Sequence, residues 1–97
     1  MSGKGTRTID FGSGATTAEV DVDGQSGIDS EAHCEAFFQS QAGVDETADH
    51  NADEHALAPH LMTLSCASVV AGSGFTIKAI SLGGAITGQW VVRWVWA

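Results

Sequence analysis

The chain closes on a ten-residue stretch, Gly88 to Ala97, that contains all three tryptophans of the protein and limits the fold more than any other segment. Trp90, Trp94 and Trp96 share one parity, so on a strand they point to the same face. The residues between them are also mostly apolar, which predicts a strand covered on both faces, inside a sheet. We expect the tryptophans in the core. A subunit contact through Trp94 and Trp96 is the alternative, because aromatic residues are enriched at interface centres.

Short alternating segments recur along the rest of the chain. The cleanest alternation runs from Thr17 to Asp23, and further strands are predicted over residues 7–11, 60–70 and 75–81. Residues 31–41 fit a strand or a helix, and the neighbouring sheet signals favour a strand. Strands spaced by about 8–12 residues, with glycine turns between them, are typical of all-β domains. We therefore expect an antiparallel β-sandwich of jelly-roll type.

The length of 97 residues predicts one domain, spanning residues 1–97. Residues 1–6 are polar, contain two glycines and are expected to form a flexible arm. Residues 42–59 form the longest stretch without strand character and are expected to be a long contact loop, since such loops in small domains are usually functional. Residues 49–57 could form a helical turn or two, which Pro59 would then end.

Charge is distributed unevenly: the net charge is −8, and all 12 carboxylates lie between Asp10 and Glu54. Only 4 lysines and arginines are present, so binding to nucleic acid is not expected. No signal-like segment and no apolar run of about 20 residues occurs, which predicts synthesis in the cytoplasm and no membrane association. Cys34 and Cys66 are expected to be reduced, with a disulfide bond between them as the alternative.

Histidines and carboxylates alternate within the predicted loop. A spacing of five residues turns about 500° on a helix, which spreads the histidines around the axis. The zinc signature H-E-x-x-H is absent, so no metal site is predicted, although histidines and carboxylates are suitable ligands. We expect instead a subunit contact in which histidines bond carboxylates. The residues expected in this contact, together with the two tryptophans of the alternative above, are Asp49, His50, Asp53, Glu54, His55, His60, Trp94 and Trp96.

No catalytic arrangement emerges from the sequence. The calcium-loop pattern beginning at Asp21 fails, because Ser26 and Ala32 occupy its glycine and glutamate positions. His33 and Cys34 are adjacent, so on a strand they would point to opposite faces and could not act together. The G-x-S-x-G elbow is also missing. We predict no enzyme, no catalytic residue and no cofactor.

Five segments, taken in order, resemble small proteins encoded in the structural gene clusters of tailed phages and prophages: residues 24–28, 35–38, 47–55, 70–77 and 91–96. The resemblance covers the chain from about Thr17 onward, and its specificity lies in the order of the segments. It implies a head decoration or cement protein with a sandwich or jelly-roll fold. Such a protein is made in the host cytoplasm and binds the capsid exterior, where it stabilises contacts between major capsid subunits. We expect a homo-oligomer, a trimer or a dimer. The alternative is a tail or fibre module that binds a cell-surface carbohydrate.

Overall fold

Six β-strands and one α-helix make up residues 2–97, the part of the chain that the structure, a computed structural model, describes. In chain order they are β1 (Gly3–Asp10), β2 (Thr17–Val22), β3 (Cys34–Phe37), α1 (Ala52–Leu61), β4 (Met62–Val70), β5 (Gly74–Ser81) and β6 (Gln89–Trp96). Strands account for 47% of the chain. The prediction of a mostly β protein is therefore confirmed.

The strands form two antiparallel three-stranded sheets, with the orders β1-β6-β3 and β2-β5-β4. β6 is the central strand of the first sheet, as its two apolar faces predicted. The jelly-roll sandwich is not confirmed, since a jelly roll has about eight strands and six are described here.

The core takes residues from both sheets, and the face of β6 that carries the tryptophans is its largest contribution. Trp90, Trp94 and Trp96 are only 3%, 6% and 5% exposed, which confirms that they point the same way. Phe75 of β5 packs edge-on against Trp94, with ring centroids 5.7 Å apart, and so joins the two sheets. The alternative of a subunit contact through Trp94 and Trp96 is not supported, because both side chains are inside the molecule.

The first strand begins earlier than the sequence predicted. Residues 3–6, expected to belong to a flexible arm, are paired with β6 in register Gly3↔Trp96 and Gly5↔Trp94. A Cβ atom on Gly5 would lie 2.5 Å from Cζ2 of Trp94, and one on Gly3 would also overlap the Trp96 ring. The two glycines make room for the two indoles. This reason for strand pairing cannot be predicted from the local strand propensity of glycine. Met1 lies outside the described residues.

The predicted loop over residues 42–59 is in part a helix. Asn51 caps α1 and forms a capping box with Glu54, which satisfies free N–H groups of the first turn. Pro59 lies inside α1, so the expectation that it ends the helix is wrong. The helix continues for two more residues because the cap and the buried side chains of His55 and Ala58 hold it against the sheet. The segment from Phe38 to Asn51 remains irregular, and we call it the cover loop.

Candidate functional site

The cover loop and α1 meet β6 at a stretch of strand edge that lacks a strand neighbour. β3 pairs only with Arg93–Trp96 of β6, so the backbone groups of Gln89 and Val91 on that side have no ladder partner. The N–H and C=O of Ala97 bond His33 on the same side, so the odd-numbered groups face this way. We call the backbone groups of Gln89 and Val91 the open edge of β6.

Three side chains bond the open edge in place of a strand. The Gln89 N–H donates to Oδ2 of Asp49 at 2.8 Å, and the Thr47 hydroxyl donates to the Gln89 carbonyl at 2.7 Å. The Val91 N–H donates to Nε2 of His55 at 2.9 Å. The buried Val91 N–H needs such a partner, and the two bonds to the exposed Gln89 add to it, so together they fix the cover loop and α1 on the sheet.

The hydrogen bonds of His55 fit a neutral ring. The side chain is 1% exposed, and its Nδ1 lies 2.9 Å from the carbonyl oxygen of Asn51, to which it can only donate. Its Nε2 accepts from the Val91 N–H and therefore carries no proton. One donor and one acceptor match the neutral ring with hydrogen on Nδ1, which leaves no unused position on this side chain.

His50, five residues earlier, has the opposite environment. Its ring stacks on Trp90 with centroids 3.7 Å apart, and its Nε2 lies 2.7 Å from the carbonyl oxygen of Thr87. Its Nδ1 lies 2.8 Å from Oε2 of Glu54. Both nitrogens face acceptors, so both can donate only when the ring carries two protons. The bond from His50, followed by one from the Asn51 backbone, lowers the pKa of the Glu54 carboxyl group.

A second fastening lies on the outer face of β6. Arg93 donates from Nε to Oδ1 of Asp45 at 3.0 Å and from Nη2 to Oδ2 at 2.8 Å. Asp45 is 0% exposed, and its hydrogen bonds raise the pKa of the Arg93 guanidinium. The sequence analysis missed this pair. The signal for this pair in the sequence was Arg93, the one charged residue of a mostly apolar strand. A charged side chain that is covered by other residues requires a partner of opposite charge.

The outer side of α1 carries leucines. Leu57 and Leu61 are four residues apart, so they share a face of the helix, and they are 58% and 43% exposed. Leu82 is 60% exposed, and its N–H donates to the carbonyl of Leu61 at 2.9 Å. We call Leu57, Leu61 and Leu82 the leucine patch. Leu61 and Leu82 of this patch line a cleft of about 440 Å³ between α1 and residues 81–87, which His50, Glu54 and His60 also line.

The predicted contact residues separate into three groups. Asp49, His50, Glu54 and His55 converge on β6 and its neighbouring turn, so their main contacts are within the chain. His60 lines the cleft, and Asp53 is exposed in the first turn of α1. Trp94 and Trp96 belong to the core.

Within residues 2–97, no group of three or more His, Cys, Asp or Glu side chains is arranged to hold a metal ion. No helix of this part is both long and apolar enough to cross a membrane. Comparisons with protein-family models, with curated proteins and with solved structures each found no match to this chain.

Proposed function

We propose that the protein is a phage head decoration protein, which binds the outside of the capsid and stabilises contacts between major capsid subunits. The single observation that carries this proposal is the leucine patch, and the sequence resemblance supplies the partner. The proposal includes a jelly-roll type of sandwich, a homo-oligomeric state as a dimer or trimer, synthesis in the host cytoplasm and a final location on the virion exterior.

The leucine patch is unusual because α1 places its apolar side chains on the wrong side for folding. The buried residues of the helix are His55 and Ala58, whereas Leu57 and Leu61 face solvent. Burying a leucine side chain contributes about 1.5–3 kcal/mol, which this helix forgoes in the free chain. Contiguous exposed apolar side chains of this kind mark surfaces that bind other proteins.

The charges around the leucine patch indicate the chemistry of the partner. Asp53 precedes Leu57 by one helical turn and is exposed, and within residues 2–97 no lysine or arginine pairs with it. The whole chain carries −8. A partner that offers an apolar depression bordered by lysine or arginine side chains would complement this surface and speed the encounter.

The contacts beneath α1 also favour binding. His55, Asp49 and the Arg93–Asp45 pair fix the helix and cover loop on β6. A surface held in this way is already in its bound arrangement, so association loses little conformational entropy. The same rigidity would let the protein act as a clamp between neighbouring capsid subunits.

The alternative function from the sequence analysis is a tail or fibre module that binds carbohydrate. The candidate site does not favour this alternative. Flat aromatic faces are the apolar surfaces that a sugar ring could pack on, but all three tryptophans are buried. Trp90, beside the cleft, is covered by His50.

The experiment is a binding assay with emptied heads, purified from a lysate of the strain that carries the gene. The test variant combines Leu57→Ser and Leu61→Ser, and the matched control is Val70→Ser, a residue that is 57% exposed at the end of β4. Wild type and control should sediment with the heads, and the double variant should not. Equal sedimentation of all three proteins would remove the leucine patch from the contact. No sedimentation of the wild type, with binding to host cells instead, would favour the fibre module.

A further inference from the structure

The contacts of His55 make its neutral state a condition for keeping α1 bonded to Val91 of β6. Its ring accepts a hydrogen bond from the Val91 N–H at 2.9 Å and donates one to the Asn51 carbonyl at 2.9 Å. A proton added at Nε2 would point at the Val91 N–H, so the bond would be lost and two donors would face each other. The side chain is 1% exposed, so no water is at hand to replace the lost partner.

We infer that His55 is a pH-operated latch: protonation of its ring in mild acid breaks its bond to the Val91 N–H and releases α1 from that part of the open edge of β6. This inference concerns the free chain and does not rest on the proposed function. The direction of the pH effect follows from which protonation form of the His55 ring each state holds. The closed state holds the neutral ring and the released state accepts the proton, so the closed state is favoured above the ordinary histidine range, near pH 6.5 or so, and loses stability below it.

The charged groups around His55 set how sharply the latch opens. On its own segment, Glu54 is bonded to His50 and to the Asn51 N–H, and Asp49 is bonded to the Gln89 N–H. Both carboxylates favour a proton on His55 and so oppose release, whereas the loss of the Val91 hydrogen bond on protonation favours it. On β6, the nearest charged group is Arg93, which is paired with Asp45 on the outer face. His60 lines the cleft, and His50 stacks on Trp90, whose ring centroid lies 5.3 Å from that of His55.

Glu54 sets a second pH below which the closed state loses stability, and this pH is lower than the one set by His55. Its pKa is lowered by the His50 bond, so the carboxylate persists as the pH falls below the ordinary glutamate range. A carboxyl group whose pKa is lower in the closed state stabilises that state at pH values above its pKa in the unfolded chain. This stabilisation is lost as the pH falls through the pKa of the closed state. His55 therefore opens first in mild acid, and the His50–Glu54 contact fails only in stronger acid.

Opening leaves a specific trace in the backbone. The Val91 N–H loses its side-chain partner, whereas the even-numbered N–H groups of Trp90 and Val92 face β1 and keep their ladder bonds. A local release therefore exposes one side of β6 only. Global unfolding would expose both sides together, so the two events are distinguishable residue by residue.

The test is amide exchange measured by NMR between about pH 7.5 and about pH 5, a range that brackets histidine titration. Exchange rates are expressed as protection factors, so that the intrinsic pH dependence of exchange is removed. In the wild type the protection of Val91 should be constant above the ordinary histidine range and should fall by about tenfold per pH unit below it, the slope of a one-proton step, while Val92 stays protected. His55→Gln, which does not titrate, should show no such fall. The matched control His60→Gln should behave as the wild type does.

A second measurement keeps the inference testable if His55→Gln does not fold. The ring nitrogen resonances of His55 in the wild type should show an acceptor at Nε2 at neutral pH, and its protonation should coincide with the loss of protection at Val91. Constant protection of Val91 to pH 5 or so would overturn the inference. So would simultaneous loss at Val92, or a ring that protonates without any change at Val91.

Discussion

At the scale of single residues, glycine and tryptophan determine where the first strand lies. Gly5 faces Trp94 across the β1–β6 ladder, and a Cβ there would come within 2.5 Å of the indole. Gly5→Ala should therefore destabilise the fold by about 1–3 kcal/mol, as overpacking of a closed core does. Chemical denaturation measures the loss. Gly84→Ala is the control, since nothing lies within 4 Å of an added Cβ at that glycine. Equal stabilities for the two variants would contradict the packing account.

Burial makes the cysteines weak nucleophiles. Desolvation, followed by the nearby Cys34 and Glu35, raises the pKa of the Cys66 thiol from 9.0 to about 11, and burial also raises the pKa of Cys34. A thiol whose pKa is higher in the folded state stabilises that state at pH values below its pKa in the unfolded chain. The stability of the fold should therefore decline as the pH rises from 9.0 to about 11. Thiol titration without reductant should find slow reaction of native protein at neutral pH and two free thiols after denaturation. Finding none would indicate a disulfide bond.

At the scale of elements, one ion pair fastens the cover loop to the outer face of β6. Asp45 is completely buried, so Arg93→Met would leave its carboxylate without a partner, the costly way to break a buried pair. We expect a clear loss of stability in denaturation experiments. Arg7→Met is the matched control, because Arg7 and Asp23 form an exposed pair, which contributes about 0–1 kcal/mol. A loss for Arg93→Met no larger than that of the control would show that the cover loop is held by other contacts.

Sequence patterns predicted the elements that alternate strongly. β2, β5 and β6 lie within a residue or two of their expected positions, because alternation and β-branched side chains are local signals. Gly3 and Gly5 were assigned to an arm, since glycine is a poor strand former and its purpose here lies across the ladder in Trp96 and Trp94. α1 was predicted weakly, because its leucines face outward and its buried side consists of His55 and Ala58.

The sequence predicted which residues belong to the candidate site better than it predicted what those residues do. His50, His55, Asp49 and Glu54 were grouped as contact residues because they cluster along the chain. The sequence could not show that β3 is too short to cover β6, and it is this gap that makes the four side chains partners of the strand and its flanking turn. Asp45 and Arg93 are 48 residues apart, so only the folded chain shows that they pair.

At the scale of the whole molecule, β6 holds the first sheet together. Residues 93–96 pair with β1 on one side and β3 on the other, and they include two core tryptophans. Deleting residues 93–97 should abolish cooperative unfolding, since the loss of one buried tryptophan side chain costs about 3–5 kcal/mol against a total stability of about 5–15 kcal/mol. Calorimetry of the truncated chain checks this. A normal melting transition would mean that the strand is peripheral.

The acidic, leucine-bearing surface is what links the whole molecule to the proposed function. A decoration protein must occupy every equivalent position of a shell, whereas a tail or fibre module occupies one vertex. Stoichiometry therefore separates the two readings without any assumption about which residues make the contact.

The most direct test is quantitative mass spectrometry of purified particles from the strain that carries the gene, with peptides of this chain counted against peptides of the major shell protein. We expect a copy number comparable with that of the shell protein, in full and emptied heads alike. A few copies per particle would point to the tail, and complete absence from particles would contradict the proposed function.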